Sequence, residues 1–306
     1  MRDLKASLPR LFSCLRVFVV KILRMAQTKH EIQALLAGAG TEPRHRFGQN
    51  FMIDQNLVRL VADAGMIAAG DLVVEVGPGT GTLTEELLSR GAEVLAVEID
   101  RNLAGVLRER FAGNEKFRLI EGDALAGKHA LNEELIASLR EAAKRGKAVK
   151  LVANLPYNIA SPLVIEMLIA GVEMLVFVVQ KEVADRLRGT AGSDDYGPLT
   201  VMAQMLSNVE YLRKLPPGAF WPAPGVDSAL VRMARADRLG ERAGAFSVFV
   251  QQVLSARRKT LRKALERASV DADAVIAKLG LDPKLRAEEL PPEMFLAMFE
   301  ASVGGT

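Results

Sequence analysis

The sequence predicts an α/β protein: a mostly parallel sheet covered by helices on both faces, with an antiparallel hairpin at one side and a small all-helical unit after it. Three observations carry this. From residue 72 onward short β-branched runs alternate with helical patterns, the signature of parallel strands joined by crossover helices. Two later runs, VEYLRKL and SALVRMA, are joined by a Pro-rich loop, PPGAFWPAPGVD. That loop is too short and rigid for a crossover helix, so these strands pair antiparallel. After about Asp237 strand signals stop and helical patterns continue to the end.

The elements follow in order. Residues 1–24, MRDLKASLPRLFSCLRVFVVKILR, are basic and apolar, but Arg16, Lys21 and Arg24 interrupt the run. It is too short to span a bilayer and lacks a small-residue cleavage site. We read it as an extension the fold does not use, with a transit peptide or surface-lying helix as the alternative. Deleting it is expected to leave the thermal midpoint and activity unchanged, and a large loss of either would make it a structural element. The predicted strands are LVVEVG (72–77), EVLAVEID (93–100), FRLIEGDA (117–124), AVKLVANL (148–155) and MLVFVVQK (174–181). Between them lie the helical TLTEELLSR, RNLAGVLRERF and SPLVIEMLIAG, and a charged surface helix from Glu133 to Lys147 inserted before the fourth strand. RLGERAGA reads as a linker, dividing a domain at 25–237 from a helical one at 238–306.

Composition excludes more than it assigns. Forty Lys and Arg against 37 Asp and Glu leave a net charge of +3, so nucleic-acid binding has to be argued from distribution. Cys14 is the only cysteine, which rules out an internal disulfide and fits a reducing, cytoplasmic setting. His30, His45 and His129 have no cysteine neighbours at ligand spacing, so no metal site is expected. No membrane-spanning segment and no obligate oligomer are expected; the chain reads as a monomer.

The first strand runs into EVGPGTGTLT, placing Gly77, Gly79 and Gly81 between strand and helix. Such glycines let a ligand approach the backbone and permit positive φ. Their G-x-G-x-G spacing differs from the dinucleotide G-x-G-x-x-G, which counts against a nicotinamide oxidoreductase. Glu98 ends the second strand, where a carboxylate accepts from both ribose hydroxyls of an adenosine. Asp123 ends the third, placed to accept from an adenine amine. Glycine loop, ribose acid and adenine acid without a phosphate-binding sequence describe a nucleoside pocket at the carboxyl edge of a Rossmann-like sheet. They resemble class I methyltransferases, whose cofactor is S-adenosyl-L-methionine.

At the end of the fourth strand stand Asn154, Leu155, Pro156 and Tyr157. An adenine amine is a poor nucleophile because its lone pair is delocalised. The Asn154 side-chain oxygen and Leu155 carbonyl, both accepting from that amine, would favour its tetrahedral form. Pro156 would stiffen the turn, and Tyr157 would stack on the base, worth about 1–3 kcal/mol. The related NPPY type also serves glutamine and DNA adenine methylation, so the motif identifies an amine or amide acceptor and not RNA.

RFGQNFMID, VVEVGPGTGTLT, VEID, EGDAL, NLPYNIASPL, VVQKEVADRL and FWPAPGVDSALV occur in one order across about residues 28–300. That set resembles the rRNA adenine dimethyltransferases that modify two adjacent adenines near the 3′ end of small-subunit rRNA. The resemblance implies that Asn50 and Met52 touch the cofactor, joining Gly77, Glu98, Asp123 and Asn154. It implies that Phe220 holds the target base opposite Tyr157, and that the partner is small-subunit rRNA within a ribosomal particle. Met52 stands where the family usually has Leu, a volume-conserving change. The inserted helix lengthens the gap from Asp123 to Asn154.

SARRKTLRKALERA concentrates Arg257, Arg258, Lys259, Arg262 and Lys263 in a few helical turns. Helical spacing puts Arg258 and Arg262 on one face, with Lys259 beside them, suited to phosphates. Two alternatives share these motifs: a large-subunit rRNA adenine methylase of the antibiotic-resistance type, and a ribosome-assembly or transcription-accessory binding protein on the same fold.

Overall fold

The structure, a computed structural model, describes residues 27–44, 47–127, 130–257 and 259–303. The extension at 1–24 and Arg258 lie outside the described residues. The chain begins with α1 (Lys29–Gly38), β1 (Phe51–Met52) and α2 (Gln55–Ala64). Asp54, the last residue of RFGQNFMID, caps α2 by accepting from Asn56 N and Leu57 N, which satisfies two otherwise orphaned donors. The sheet strands then alternate with helices: β2 (Leu72–Val76), α3 (Thr82–Ser89), β3 (Glu93–Glu98), α4 (Arg101–Arg110) and β4 (Phe117–Glu121). A small hairpin of β5 (Leu125–Gly127) and β6 (Ala130–Leu131) leads to α5 (Glu133–Lys144), the predicted inserted helix. Next come β7 (Val149–Asn154), α6 (Ala160–Ile169), β8 (Met174–Gln180), α7 (Lys181–Leu187) and α8 (Pro198–Leu206).

The last strands are β9 (Ser207–Leu215), β10 (Phe220–Trp221) and β11 (Ser228–Arg235). The seven-stranded sheet has the order β4-β3-β2-β7-β8-β11-β9. Strands β4, β3, β2, β7 and β8 are parallel, and β11 runs antiparallel to both β8 and β9. The predicted terminal hairpin is therefore present. The chain leaves β2 first toward β3 and β4, then returns to the other side for β7 and β8. That reversal opens a crevice at the carboxyl end of β2, where open α/β sheets take their ligands.

Sequence periodicity does not reveal α7 and α8. Leu199, Thr200, Val201, Met202, Ala203, Met205 and Leu206 of α8 are all buried, and a helix covered all round has no apolar stripe. The Pro-rich loop also holds an unforeseen strand, since β10 pairs with β1, Phe51 opposite Trp221 and Met52 opposite Phe220.

The chain closes with α9 (Ala243–Leu254), α10 (Leu261–Arg267), α11 (Ala272–Leu279) and α12 (Pro292–Val303). Phe246, Phe249, Phe295 and Met298 share one apolar core with Met202 and Met205 of α8. Leu239, within the predicted linker, is 1% exposed, and the Tyr196 hydroxyl donates to the Leu290 carbonyl at 2.7 Å. The helical unit is thus welded to the sheet unit by buried contacts. Among the described residues no helix is long and apolar enough to cross a membrane.

Candidate active site

A cleft open at its mouth, about 930 Å³ of empty space with the solvent in that mouth included, occupies the crevice at the end of β2. Its walls include Asn50, Met52, Gly77, Gly79, Glu98, Asp123 and Asn154, which the sequence scatters over more than a hundred positions. Gly81 stands just outside, as the N-cap of α3 with φ 83°.

The glycines answer to the protein as much as to any ligand. A Cβ on Gly79 (φ 61°) would stand 2.9 Å from the Phe51 ring, and one on Gly81 would stand 2.6 Å from Phe111. Both the left-handed backbone and the two rings underneath require glycine. The positive φ is expected from the sequence; the rings of Phe51 and Phe111 beneath the turn are a further reason that the sequence does not show.

Glu98 is 4% exposed and accepts from Gly79 N at 3.2 Å and Asp100 N at 2.8 Å. Burial pushes its carboxyl up to about 7, against the pull of those N–H groups. Behind it lies Glu75, in the middle of the buried strand β2 and also on the cleft wall. Burial raises Glu75 to about 8, although the Thr84 hydroxyl donates to it at 2.6 Å. A carboxylate in the middle of the apolar run LVVEV was the signal that sequence reading passed over. Asp123 lies two residues beyond the end of β4, with Oδ1 accepting from Leu125 N at 3.0 Å. Ile99 stands at the cleft 44% exposed, a flat apolar wall beside Glu98.

The amino-terminal motif closes the cleft. Gln49 Nε2 donates to Asp100 Oδ2 at 3.2 Å, and Arg44 reaches the same oxygen at 3.2 Å. The Asn50 carbonyl accepts from Asn154 Nδ2 at 2.6 Å. That bond fixes the amide flip and leaves Oδ1 as the acceptor end of Asn154. Leu155 is buried, and its N–H donates to the Val178 carbonyl at 3.1 Å. Pro156 packs so close to Gly77 that a Cβ there would lie 3.1 Å from its ring. The Tyr157 hydroxyl is 2.8 Å from Ser228 Oγ at the start of β11, and burial raises its pKa, so it stays neutral at physiological pH.

Two expectations are corrected. Phe220 is 2% exposed and packs in a core with Met52 and Leu57. Its strand pairs with β1, and the residue lies in that core and not among those that line the cleft. The basic segment is also not one helix. α9 ends at Leu254, and α10 starts only at Leu261, where Leu261 N is taken by the Leu285 carbonyl at 2.6 Å. Arg257 and Lys259 therefore sit in a turn rather than on the face of Arg262. Arg257 pairs with Glu288 at 2.8 Å and Arg262 with Asp273 at 2.6 Å, while Lys259 and Lys263 are exposed.

The donor set states what the cleft takes. Three carboxylates, Glu75, Glu98 and Asp123, line it, and no Lys or Arg does among the described residues. Acids without cations suit a nucleoside carrying positive charge and give a pyrophosphate no charged side-chain partner. S-adenosylmethionine, with its ribose, adenine, ammonium and sulfonium, fits.

The fold and this acid-lined cleft at the switch point are those of a class I methyltransferase that uses S-adenosylmethionine. The family model for ribosomal RNA adenine dimethylase matches residues 40–302, and the chain belongs to that family. It is 42% identical over 264 residues to ribosomal RNA small subunit methyltransferase A of Deinococcus radiodurans, covering 85% of this chain and 86% of the relative. The protein of that name from Magnetococcus marinus is 41% identical over 270 residues, covering 86% and 93%. Among solved structures, a dimethyladenosine transferase from Plasmodium falciparum shares the fold, with TM-score 0.63 and 22% identity over 81% of this chain and 95% of that one. The 23S rRNA methyltransferase ErmE superposes with TM-score 0.58 at 28% identity, over 83% of this chain and 100% of that one.

Proposed function

We propose that this protein transfers methyl groups from S-adenosylmethionine to the exocyclic amines of two adjacent adenines near the 3′ end of small-subunit rRNA, within a ribosomal particle, acting as a cytoplasmic monomer. The observation that carries the reading is the convergence of Glu98, Asp123 and the oriented amide of Asn154 on one cleft with no Lys or Arg among its described lining residues. When bound, the cofactor supplies an electrophilic methyl group on a positive sulfur. Glu98 holds the ribose, and Asp123 beside Ile99 holds the adenine. Asn154 Oδ1 and the Leu155 carbonyl accept from the target amine, keeping its lone pair aimed at the methyl group. Tyr157, anchored by Ser228, offers its ring to the base. Transfer would leave the methyl carbon bonded to nitrogen in place of sulfur, and the amine proton would pass to water. Positioning and electrostatics carry the rate, with no strong general base.

Similarity to ErmE supports a second reading, methylation of large-subunit rRNA, but small-subunit relatives match at higher identity, 42% against 28%. Incubating undermethylated small subunits and, in parallel, naked large-subunit rRNA with labelled cofactor and mapping the label tests the choice. Label on naked large-subunit rRNA alone would reverse it.

We assign the rRNA grip to the C-terminal helical unit. Arg257 and Arg262 already have acidic partners, so Lys259 and Lys263 are the cleaner probes. Changing both to Gln is expected to lower the salt slope of particle binding by about two, roughly one for each lost phosphate contact. An unchanged slope places the grip elsewhere.

A further inference from the structure

The glycine turn is held from a direction that the family motifs do not include. Gln27 is 7% exposed, although it lies 13 residues before the start of the family match at residue 40. Its Nε2 donates to the Thr80 carbonyl at 3.2 Å. Its Oε1 accepts from the Thr80 hydroxyl and from the Thr82 hydroxyl, the latter at 3.0 Å. Thr80 and Thr82 are buried, and both line the cleft. One side-chain amide thus spends both polar ends on the turn between Gly79 and α3.

The segment behind Gln27 is built to hold it there. Thr28 and Glu31 form a reciprocal cap on α1, with Thr28 N donating to Glu31 at 2.7 Å and Glu31 N to Thr28 Oγ1 at 3.3 Å, which fixes the chain one residue beyond Gln27. Ile32 and Leu36 of α1 are fully buried and pack with Phe51, whose ring lies under Gly79. From the other side Arg110 Nη1 donates to the same Thr80 carbonyl at 2.6 Å.

We propose that Gln27 is a positioning residue for the cofactor, an amino-terminal latch that holds Thr80 and Thr82 and so sets the geometry of the glycine turn. The proposal rests on the cleft being the S-adenosylmethionine site. Without the amide, two buried hydroxyls lose their acceptor and a carbonyl loses a donor, a cost the turn escapes only by moving. A moved turn weakens cofactor binding and leaves the acceptor side, Asn154 to Tyr157, as it was.

The test measures binding of S-adenosylhomocysteine by calorimetry, steady-state constants, and amide exchange at residues 79–82, in wild type, Gln27→Ala and Gln27→Met. Met keeps the length and burial and removes only the polar atoms. Both variants are expected to raise the Kd, and the KM for S-adenosylmethionine, by about tenfold. They should also speed exchange in the turn and leave kcat and the KM for RNA within about twofold of wild type. An unchanged Kd and exchange in a folded variant overturns the latch, as does a fall in kcat with Kd intact. If neither variant folds, Gln27 is a stability residue and the positioning role is wrong. Failure of wild type to bind S-adenosylhomocysteine would instead overturn the reading of the cleft.

Discussion

Asn154→Ala is expected to lower methyl transfer by about a hundredfold or more, the range for removing a contact directed at the transition state, and to leave binding to small subunits near wild type. The argument turns on the 2.6 Å bond from Nδ2 to the Asn50 carbonyl, which commits the other end of the amide to accepting. Asn154→Asp sharpens the test. It keeps an acceptor at Oδ1 but sets a second oxygen against the Asn50 carbonyl, so it is expected to recover little of the lost rate. Labelled-cofactor transfer to small subunits, measured beside particle binding, checks both variants. Wild-type rates in Asn154→Ala would reduce NLPY to a stiffened strand end.

Cofactor affinity is expected to be highest above pH 7 and to fall below it, by up to about tenfold per unit. The cause is Glu98, whose carboxyl burial has pushed up to about 7. In the proposed role ribose hydroxyls would donate to its ionised form, so each step of protonation below 7 would compete with the ligand. The groups around it are Glu75, the Asp100 carboxylate and the N–H groups of Gly79, Ile99 and Asp100, with Arg110 acting on Glu75. Glu98→Gln should remove the titration centred near 7 and also lower that of Glu75, which the Glu98 charge helps to raise. Glu98→Ala should shrink the rise in thermal midpoint that the cofactor gives. Calorimetric titrations from pH 6 to 9 decide the matter, and an affinity that rises in acid would sink the ribose role.

The same two carboxyls bear on stability without ligand. Their folded-state values are raised from 4.5 to about 7 and about 8. Their contribution is therefore fully present below about 4.5 and is lost as pH rises through 7 for Glu98 and 8 for Glu75. The ligand-free midpoint should accordingly drift down between pH 5 and 8, and the cofactor should oppose the drift.

The sequence by itself determined the alternation of strands and helices, the five parallel strands to within a residue or three at each end, and the terminal hairpin. It could do so because fully buried parallel strands read as unbroken β-branched runs and the Pro-rich loop forbids a crossover. It also supplied the residue types that converge on the cleft, since glycine turns and acids at strand ends are local chemistry. Tertiary structure alone decided what each of those residues does to its neighbours. Whether Glu98 is charged depends on how deeply β3 is buried, and no spacing encodes that. The amide of Asn154 is oriented by a carbonyl 104 positions away, and Phe220 lies in a core, on a strand paired with β1. The basic run became a turn and a helix because Leu261 is bonded to Leu285, a long-range contact that overrides the helical propensity of SARRKTLRKALERA. Gln27 belongs to the same class: in sequence it is an unremarked polar residue, and only the packing of α1 on Phe51 carries its amide to Thr80.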